Sequence, residues 1–541
     1  MAAVWCGFRV DRRQTDVCQV RLSNWPLYPF LFAAHPVLSL LLNNVSKVPL
    51  IDTFWSMLVI EVLTLLTLLV CRLICGQWRR AALYTFLIVI ALLFFQRFDD
   101  AFGLVFDDGL NIWIAAVVWV ALLLFVGRVV SRSDSDFIGA TTALNAAAVL
   151  FLAIPVLGVG WHTWQVQKVQ STAVAAVNRP VPTLTRPANG ELPDIWYVVL
   201  DRYARSDVLK SQYNFNNDDF LGALSTKGFQ VLDQGTANYQ RTAHSLASTL
   251  NLDYLDAASA INGSGSPDWV ILYRLLEDFK VWRALKPLGY QYSHLGSWWT
   301  PTAMNKFADR NFSWNVVPTF ERFLRDQSLP GRLARAAGWQ AMDYRRLQCE
   351  RAGAKFDQLK KIAAENGAAK FVFAHFLMPH PPFVLNEDGS CLTEFEAKSR
   401  SRTDNYIDQV RYTNKRLLDL VSRIQGNPDR AAIIILQADE GPWPERIAGD
   451  EHTVGMDTTP VKWKLLSGPE LLEKQAIFHA IYFPPEKGLA KLPSRMTPVN
   501  TFRTIFRQWF GADLPPLPDE NFIYLDNNQV LTFERITNKL H

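Results

Sequence analysis

Apolar positions fall into two patterns along this chain. Between Pro26 and Trp161 they form five long runs, roughly 26–44, 52–71, 80–96, 110–127 and 137–158, each near the about 20 residues a helix needs to cross a bilayer. So many runs read as a multi-pass α-helical membrane region and exclude a signal peptide. The first contains Pro26, Pro29, His35 and Pro36, so a broken or re-entrant segment stands beside a clean span as its reading. Beyond Asn178 the apolar runs shorten. Stretches without alternation at 195–200, 229–232, 289–294, 370–377, 431–437 and 478–483 are interleaved with helical periodicity at 346–366 and 404–424. That pattern predicts an α/β domain with a mostly parallel central sheet buried on both faces. Residues 251–345, rich in Trp, Arg and Phe and weakly patterned, read as an insertion packed on one edge. The chain then divides into an N-terminal segment 1–25, a membrane region 26–160, a juxtamembrane helix with a Pro-rich linker 161–191, and a globular domain 192–541.

Charge orients this arrangement. Arg9, Arg12, Arg13 and Arg21 precede the first run, Arg72, Arg79 and Arg80 follow the second, and Arg128 and Arg132 follow the fourth. The alternate loops are poor in cations, so the basic loops read as cytoplasmic. Five spans from a cytoplasmic N-terminus put residues after Trp161 outside the cytoplasm, on a multi-pass protein of the cell (inner) membrane. With 541 residues, a formal charge of +4 and a mean hydropathy near zero, the chain has room for both halves, and nothing in it points to nucleic acid. Few acids fall in the apolar region (Glu61, Asp107 and Asp108), which suits an anchor better than an ion pathway. Of six cysteines, Cys349 and Cys391 fall in the outer domain. An oxidising compartment makes them a candidate disulfide, with two unrelated buried thiols as the alternative.

The candidate chemistry lies at strand ends. Ile195-Trp-Tyr-Val-Val-Leu200 runs into Asp201, and Ile433-Ile-Ile-Leu436 leads to Asp439-Glu440. Parallel sheets collect ligands at the carboxyl ends of their strands, although each acid alone reads equally as a turn or cap residue. Between them, Arg241-Thr242-Ala-His-Ser-Leu-Ala-Ser248 leads a polar turn into a small-residue helix. A hydroxyl at a helix N-terminus faces free amides and the positive dipole end, which suits an anionic group under attack there; the plain alternative for Thr242 is an N-cap. Phe371-Val-Phe-Ala-His375 delivers one imidazole at a strand end, and His380 follows in a Pro-stiffened loop. His452 lies in the loop after Asp439. Such imidazoles can bind metal or contact a phosphoryl oxygen.

Together, WYVVLD201, RT242AHSLAS248, H375FLMPH380PPF and IILQAD439EG resemble the alkaline phosphatase and sulfatase superfamily over most of 192–512. The N-terminal spans add a similarity to its membrane-anchored branch, the lipoteichoic acid synthases and phosphoethanolamine transferases. The resemblance implies a sulfatase-like catalytic domain that is an enzyme, with Thr242 as nucleophile. It implies Asp201, Thr242, Asp439 and Glu440 around a divalent metal, His375 and His380 on the substrate or a second metal, and His452 and Arg241 on the substrate. The implied reaction moves a phospho-head-group from a membrane phospholipid, through phospho-Thr242, to a cell-envelope glycan or lipid. Departures from the family pattern matter. Glu440 stands where the family usually has His, and the resulting all-oxygen set favours Mn, Mg or Ca, with Zn possible. No Cys-x-Pro-x-Arg surrounds Thr242, and Gly296-Ser-Trp-Trp299 replaces a sulfate-contacting Gly-Lys-Trp-His, both against formylglycine sulfatase chemistry. A membrane phosphodiesterase or phosphatase, a sulfatase-like hydrolase, and an inactive sulfatase-like scaffold remain as alternatives.

Overall fold

The computed structural model describes residues 25–45, 48, 50–103, 112–177, 180–187, 190–262, 269–314, 319–337, 344–448, 463–485, 491–524 and 529–540. They form two compact units. His452, Cys6, Cys18, Asp107 and Asp108 lie outside the described residues.

The first unit takes in residues up to 42, 54–158 and 327–330. Each of the five apolar runs falls on a helix: Tyr28–Asn44, Phe54–Cys75, Trp78–Leu93, Ile112–Arg132 and Ile138–Val177. Among the described residues three of these, Phe54–Cys75, Ile112–Arg132 and the Ile138–Gln165 part of the last, are long and apolar enough to cross a membrane. The other two, of 17 and 16 residues, are shorter. The Phe54–Cys75 helix shows why a bilayer suits it. Ser56, Ile60, Thr64, Leu68 and Cys71, four or three apart, form one buried stripe, while Leu66, Leu73 and Ile74 on its other faces stay exposed. A helix apolar all round with one packed face is a membrane helix. The Tyr28–Asn44 helix carries Pro36 in its interior, and its first turn is held by a side chain: Asn145 Oδ1 accepts from the amides of Leu27 and Tyr28 at 3.0 and 2.9 Å. Where water is scarce such capping satisfies amides the helix leaves orphaned.

The second unit holds a seven-stranded sheet in the order β2-β7-β6-β1-β5-β3-β4. Its strands are β1 (Asp194–Leu200), β2 (Gln230–Val231), β3 (Gln291–Leu295), β4 (Arg310–Phe312), β5 (Lys370–Phe376), β6 (Ala432–Gln437) and β7 (His479–Tyr482). β6, β1, β5, β3 and β4 are parallel neighbours; β7 and β2 are antiparallel. Every residue of β1, β5 and β6 is buried, because the side chains alternate between two cores. Ile195, Tyr197, Val199, Phe371, Phe373, Ile433 and Ile435 pack with the helices Thr242–Asn251 and Val499–Phe510. Trp196, Val198, Leu200, Val372, Ala374, Ile434 and Leu436 pack with Tyr344–Ala363 and Arg402–Gln425. Continuous apolar runs are the signature of strands covered on both faces.

Two sequence expectations change. Residues 251–345 are more than an insertion on an edge, since they supply the edge strands β3 and β4 themselves. The Pro-rich segment 180–187 has no regular structure but is tied down: Leu184 is buried in the first core and the Thr185 amide donates to the Phe510 carbonyl at 2.9 Å. A short antiparallel pair, β8 (Phe522–Tyr524) and β9 (Phe533–Arg535), follows the main sheet.

Cys349 and Cys391 form a disulfide across 42 positions, with a Cα–Cα separation of 5.6 Å. Closing a loop of that length removes roughly 4 kcal/mol of unfolded-state entropy in the chain-entropy description. Replacing Cys391 by Ser should therefore lower the unfolding free energy by up to about 4 kcal/mol, read from denaturant curves of the reduced and oxidised forms; equal curves would show that the bridge is energetically idle.

Candidate active site

Three adjacent strands bring their carboxyl ends to one place. In β1, Val199 is level with His375 of β5 on one side and Gln437 of β6 on the other. Two positions further, the chain leaves β1 at Asp201 and passes from β6 through Ala438 to Asp439. The result is a group of Asp201, His375 and Asp439, all buried, whose ligand atoms lie within 4.8 Å of one another. Asp201 Oδ1, both Asp439 oxygens and His375 Nε2 have no hydrogen-bond partner among the described residues, nor does Glu440 Oε2. Four unsatisfied buried donor-set atoms facing each other cost several kcal/mol unless something binds between them. A divalent cation fits this donor set in charge and in ligand type.

His375 is aimed by its other ring nitrogen. Its Nδ1 shares a hydrogen bond with Thr302 Oγ1 at 2.8 Å, and that hydroxyl pairs with Ser297 Oγ at 2.7 Å. Such a partner fixes the ring and leaves Nε2 for the site. The Ser297 of Gly296-Ser-Trp-Trp299 thus supports His375. Gly296 allows this approach, since a Cβ there would come within 1.8 Å of the Ala303 carbonyl oxygen.

Asp201 is followed by a turn that few residues adopt: Arg202 has φ +63°, a left-handed conformation that costs about 1 kcal/mol or more for a side-chain-bearing residue. Its carbonyl accepts from the Tyr406 hydroxyl at 2.8 Å and its Nε donates to Glu440 Oε1 at 3.1 Å. The same Glu440 oxygen accepts from Lys474 Nζ at 2.8 Å. All three side chains are at most 3% exposed. His375 thus stands with the two aspartates, and Glu440 has its Oε1 engaged by two cations while its Oε2 has no hydrogen-bond partner among the described residues. Beneath them the Trp443 ring lies 4.6 Å from Lys474 Nζ, 4.7 Å from the Arg241 guanidinium carbon and 5.6 Å from that of Arg202, a cation–π floor.

Thr242 opens the Thr242–Asn251 helix, directly after its N-cap Arg241. Its Oγ1 donates to Asp201 Oδ2 at 3.4 Å, so the hydroxyl stands at the metal-type group and at a helix N-terminus together. Arg241 Nε donates to the Tyr524 hydroxyl of β8 at 3.0 Å. His380 is buried and is not among the three grouped residues, its Nδ1 against the Pro381 carbonyl oxygen and its ring 6.0 Å from that of Trp298.

Electrostatics follow from burial. Burial, then the charge of Glu440, pushes Asp439 up to about 7; burial, then Asp439 and Glu440, pushes Asp201 well above the carboxylate range. Burial works to raise Glu440 as well, but Lys474, Arg202 and Arg241 outweigh it and hold Glu440 below its ordinary value. Burial lowers Lys474 to about 8 and keeps His375 and His380 neutral, well below the usual imidazole value. Without a cation, one of the two aspartates keeps a proton near neutrality.

The family model for sulfatases matches residues 193–481, over half of the chain. The chain belongs to the sulfatase family and is an enzyme of the alkaline phosphatase superfamily. None of the curated proteins matches it. Similar solved structures include the C-terminal periplasmic domain of EcEptC from Escherichia coli in complex with Zn, at 11% identity over 65% of this chain and 100% of that one, TM-score 0.40. The corresponding domain of the phosphoethanolamine transferase EptC from Campylobacter jejuni has 12% identity over 63% and 94%, TM-score 0.39. The integral membrane lipooligosaccharide phosphoethanolamine transferase A from Neisseria meningitidis has 11% identity over 90% and 96%, TM-score 0.38.

Lys474 and Trp443 went unread in the sequence. The helix Gly468–Gln475 that carries Lys474 is polar and opens with a Ser467/Glu470 capping box, the mark of a surface helix. The one available signal was Glu440 itself, a second buried acid that needs a cation.

The pH dependence has a definite sign. Asp439, at about 7 in the fold against roughly 4 unfolded, favours the folded state when protonated. Its contribution is complete below about pH 4 and is lost as pH rises through 7. Metal-free protein should thus lose stability between those limits, Mn or Zn should restore it, and Asp439→Asn should flatten the profile. A melting temperature of chelator-treated protein that does not fall over this range would contradict the assignment.

Proposed function

We propose that this membrane protein is a metal-dependent phosphotransferase that takes a phospho-head-group from a membrane phospholipid onto Thr242 and passes it to a hydroxyl of an envelope glycan or lipid. The observation that carries the reading is the Thr242 hydroxyl at a helix N-terminus, 3.4 Å from a carboxylate of the unsatisfied Asp201–His375–Asp439 group. Asp201, His375 and Asp439 would hold the cation. A histidine nitrogen beside two carboxylates supports Mn or Zn over Mg or Ca, which prefer oxygen alone. When bound, the ion would lower the pKa of the Thr242 hydroxyl and offset charge on the phosphoryl oxygens.

The protein's own groups account for the remaining steps. Thr242 Oγ1 forms the bond to phosphorus while its proton is directed at Asp201 Oδ2, and the bond from phosphorus to the diacylglycerol oxygen breaks. Amides of the first helical turn, with Arg241, Arg202 and Lys474, face the charge that develops. Neutral His380, whose Nδ1–H goes to the Pro381 carbonyl, presents Nε2 as an acceptor suited to take the proton of the acceptor hydroxyl, and in this reading His452 serves as a donor to a phosphoryl oxygen or to the leaving oxygen. An acceptor hydroxyl then attacks phosphorus from the opposite side and frees Thr242. A membrane anchor raises the effective concentration of an insoluble donor, which supports a lipid substrate. The basic loops support a cytoplasmic N-terminus and a catalytic domain on the outer side of the cell membrane.

Intact-mass analysis of the full chain incubated with mixed phospholipids and Mn or Zn tests this. The expected result is an added mass equal to one phospho-head-group, with diacylglycerol release that continues only when an acceptor is present. Thr242→Ala should remove the adduct and lower turnover by about 10³-fold or more. Continuous release without acceptor would indicate a hydrolase, and an adduct on the Ala variant would take Thr242 out of the mechanism.

A further inference from the structure

His294 lies in β3, one pleat below the metal-type group. In the sheet register it is level with Phe373 of β5, two positions before His375, so the two imidazoles rise from the same face of neighbouring strands. His294 is 2% exposed, and its ring centre is 5.5 Å from that of Phe373. Both of its nitrogens are engaged: Nε2 with the Thr302 carbonyl oxygen and Nδ1 with the Tyr292 hydroxyl, each at 3.0 Å. An apolar side chain would fill this place without the cost of taking an imidazole out of water. What the histidine adds is its hydrogen bonds.

Their direction is fixed. A carbonyl only accepts, so His294 Nε2 carries the ring proton. Burial keeps the ring neutral by lowering its pKa to about 4, so Nδ1 is bare and accepts from the Tyr292 hydroxyl. The Thr302 carbonyl is thereby held by two donors, His294 and the Ser297 amide, both at 3.0 Å. On the same residue, in the short turn Thr300–Thr302, the hydroxyl meets His375 Nδ1 at 2.8 Å. A histidine that ligates through Nε2 keeps its proton on Nδ1, so His375 donates to Thr302 Oγ1. Thr302 then donates to Ser297 Oγ at 2.7 Å, and Ser297 to the Trp299 carbonyl at 3.3 Å. Every hydrogen in this chain has an acceptor, and His375 Nε2 is left facing Asp201 and Asp439. We infer that His294 is a positioning residue for the metal group: by holding the Thr302 carbonyl it fixes the hydroxyl that aims His375. The inference rests on the reading of Asp201, His375 and Asp439 as cation ligands.

Zn affinity of the full chain in detergent, measured by competition with a chromophoric chelator, tests it without recourse to turnover. The site's share is the binding that Asp439→Asn removes. His294→Leu, which fills the space and loses both hydrogen bonds, should weaken that affinity by about tenfold. His294→Gln, whose amide nitrogen reaches where Nε2 stands, should keep the affinity of the unaltered protein. His294→Asn, whose amide stops at the level of Nδ1, should weaken it as Leu does; the Gln and Asn pair decides the matter if His294→Leu does not fold. A loss as large in Gln as in Asn would reduce His294 to packing and overturn the inference. Equal affinities in all the His294 variants and the unaltered protein, with Asp439→Asn still removing the binding, would overturn it and leave the metal reading standing. Zn binding that is absent, or that Asp439→Asn does not touch, would overturn both.

Discussion

Three carboxyl groups, of Asp201, Asp439 and Glu440, are each at most 1% exposed and close enough to shift one another's protonation. Water cannot screen them there, so their repulsion is the constraint that the surrounding structure answers. It answers unequally. Glu440 is matched inside the protein, its Oε1 shared by Lys474 and Arg202, and it stays ionised. Among the described residues Asp201 Oδ1, both Asp439 oxygens and the other Glu440 oxygen, Oε2, are left without a partner beside the bare Nε2 of His375. A group of bare buried oxygens and one bare nitrogen suits a cation from outside.

The backbone makes that geometry rigid. β1, β5 and β6 are parallel neighbours with every residue buried, so a shift of one position in any strand would turn its core side chains to the wrong face. The register that packs Val198 and Leu200 also delivers Asp201. The left-handed turn at Arg202 then sends the next side chain toward Glu440, and the Tyr406 hydroxyl on its carbonyl holds the turn in place. Strain of this kind persists where surrounding contacts over-determine it.

How much of this was legible depended on how local each signal was. The strand cores are continuous apolar runs, so 195–200, 370–377 and 431–437 matched β1, β5 and β6 within a residue or two. The acids ending two of those runs and the histidine ending the third were visible for the same reason. β4, β8 and β9, three residues each, are too short to show a period. The partners of Glu440 could not be read at all. Arg202 reaches it across 238 positions and Lys474 across 34, and Lys474 sits on a helix whose polar residues and capping box describe a solvated element. Likewise Ser297 and Thr302 gain their meaning from His375, 73 positions beyond Thr302. Along the chain, the resemblance put Glu440 where the family has a histidine ligand; the two cations on its Oε1 were not visible there.

The two cations on Glu440 Oε1 bear on what a histidine-to-glutamate exchange does in such a site. A histidine after Asp439 would add a neutral nitrogen to the cation's surroundings. Glu440 instead adds a negative charge and, with it, the reason for Lys474 and Arg202 to be buried, since neither would remain there without a carboxylate. Trp443 accepts both of these cations and Arg241 on one ring, which keeps the three in place where their mutual repulsion would otherwise separate them. The site then balances three carboxylates with three fixed cations, and a divalent ion would leave two positive charges in excess. The phosphodiester proposed above as substrate carries one negative charge at rest and would gain charge on its oxygens as the nucleophile closes, so the excess would be matched more fully as that reaction proceeds than when substrate first binds. Stabilisation that grows in this way is what accelerates a chemical step, and in the proposed transfer the cations held on Glu440 Oε1 would supply it.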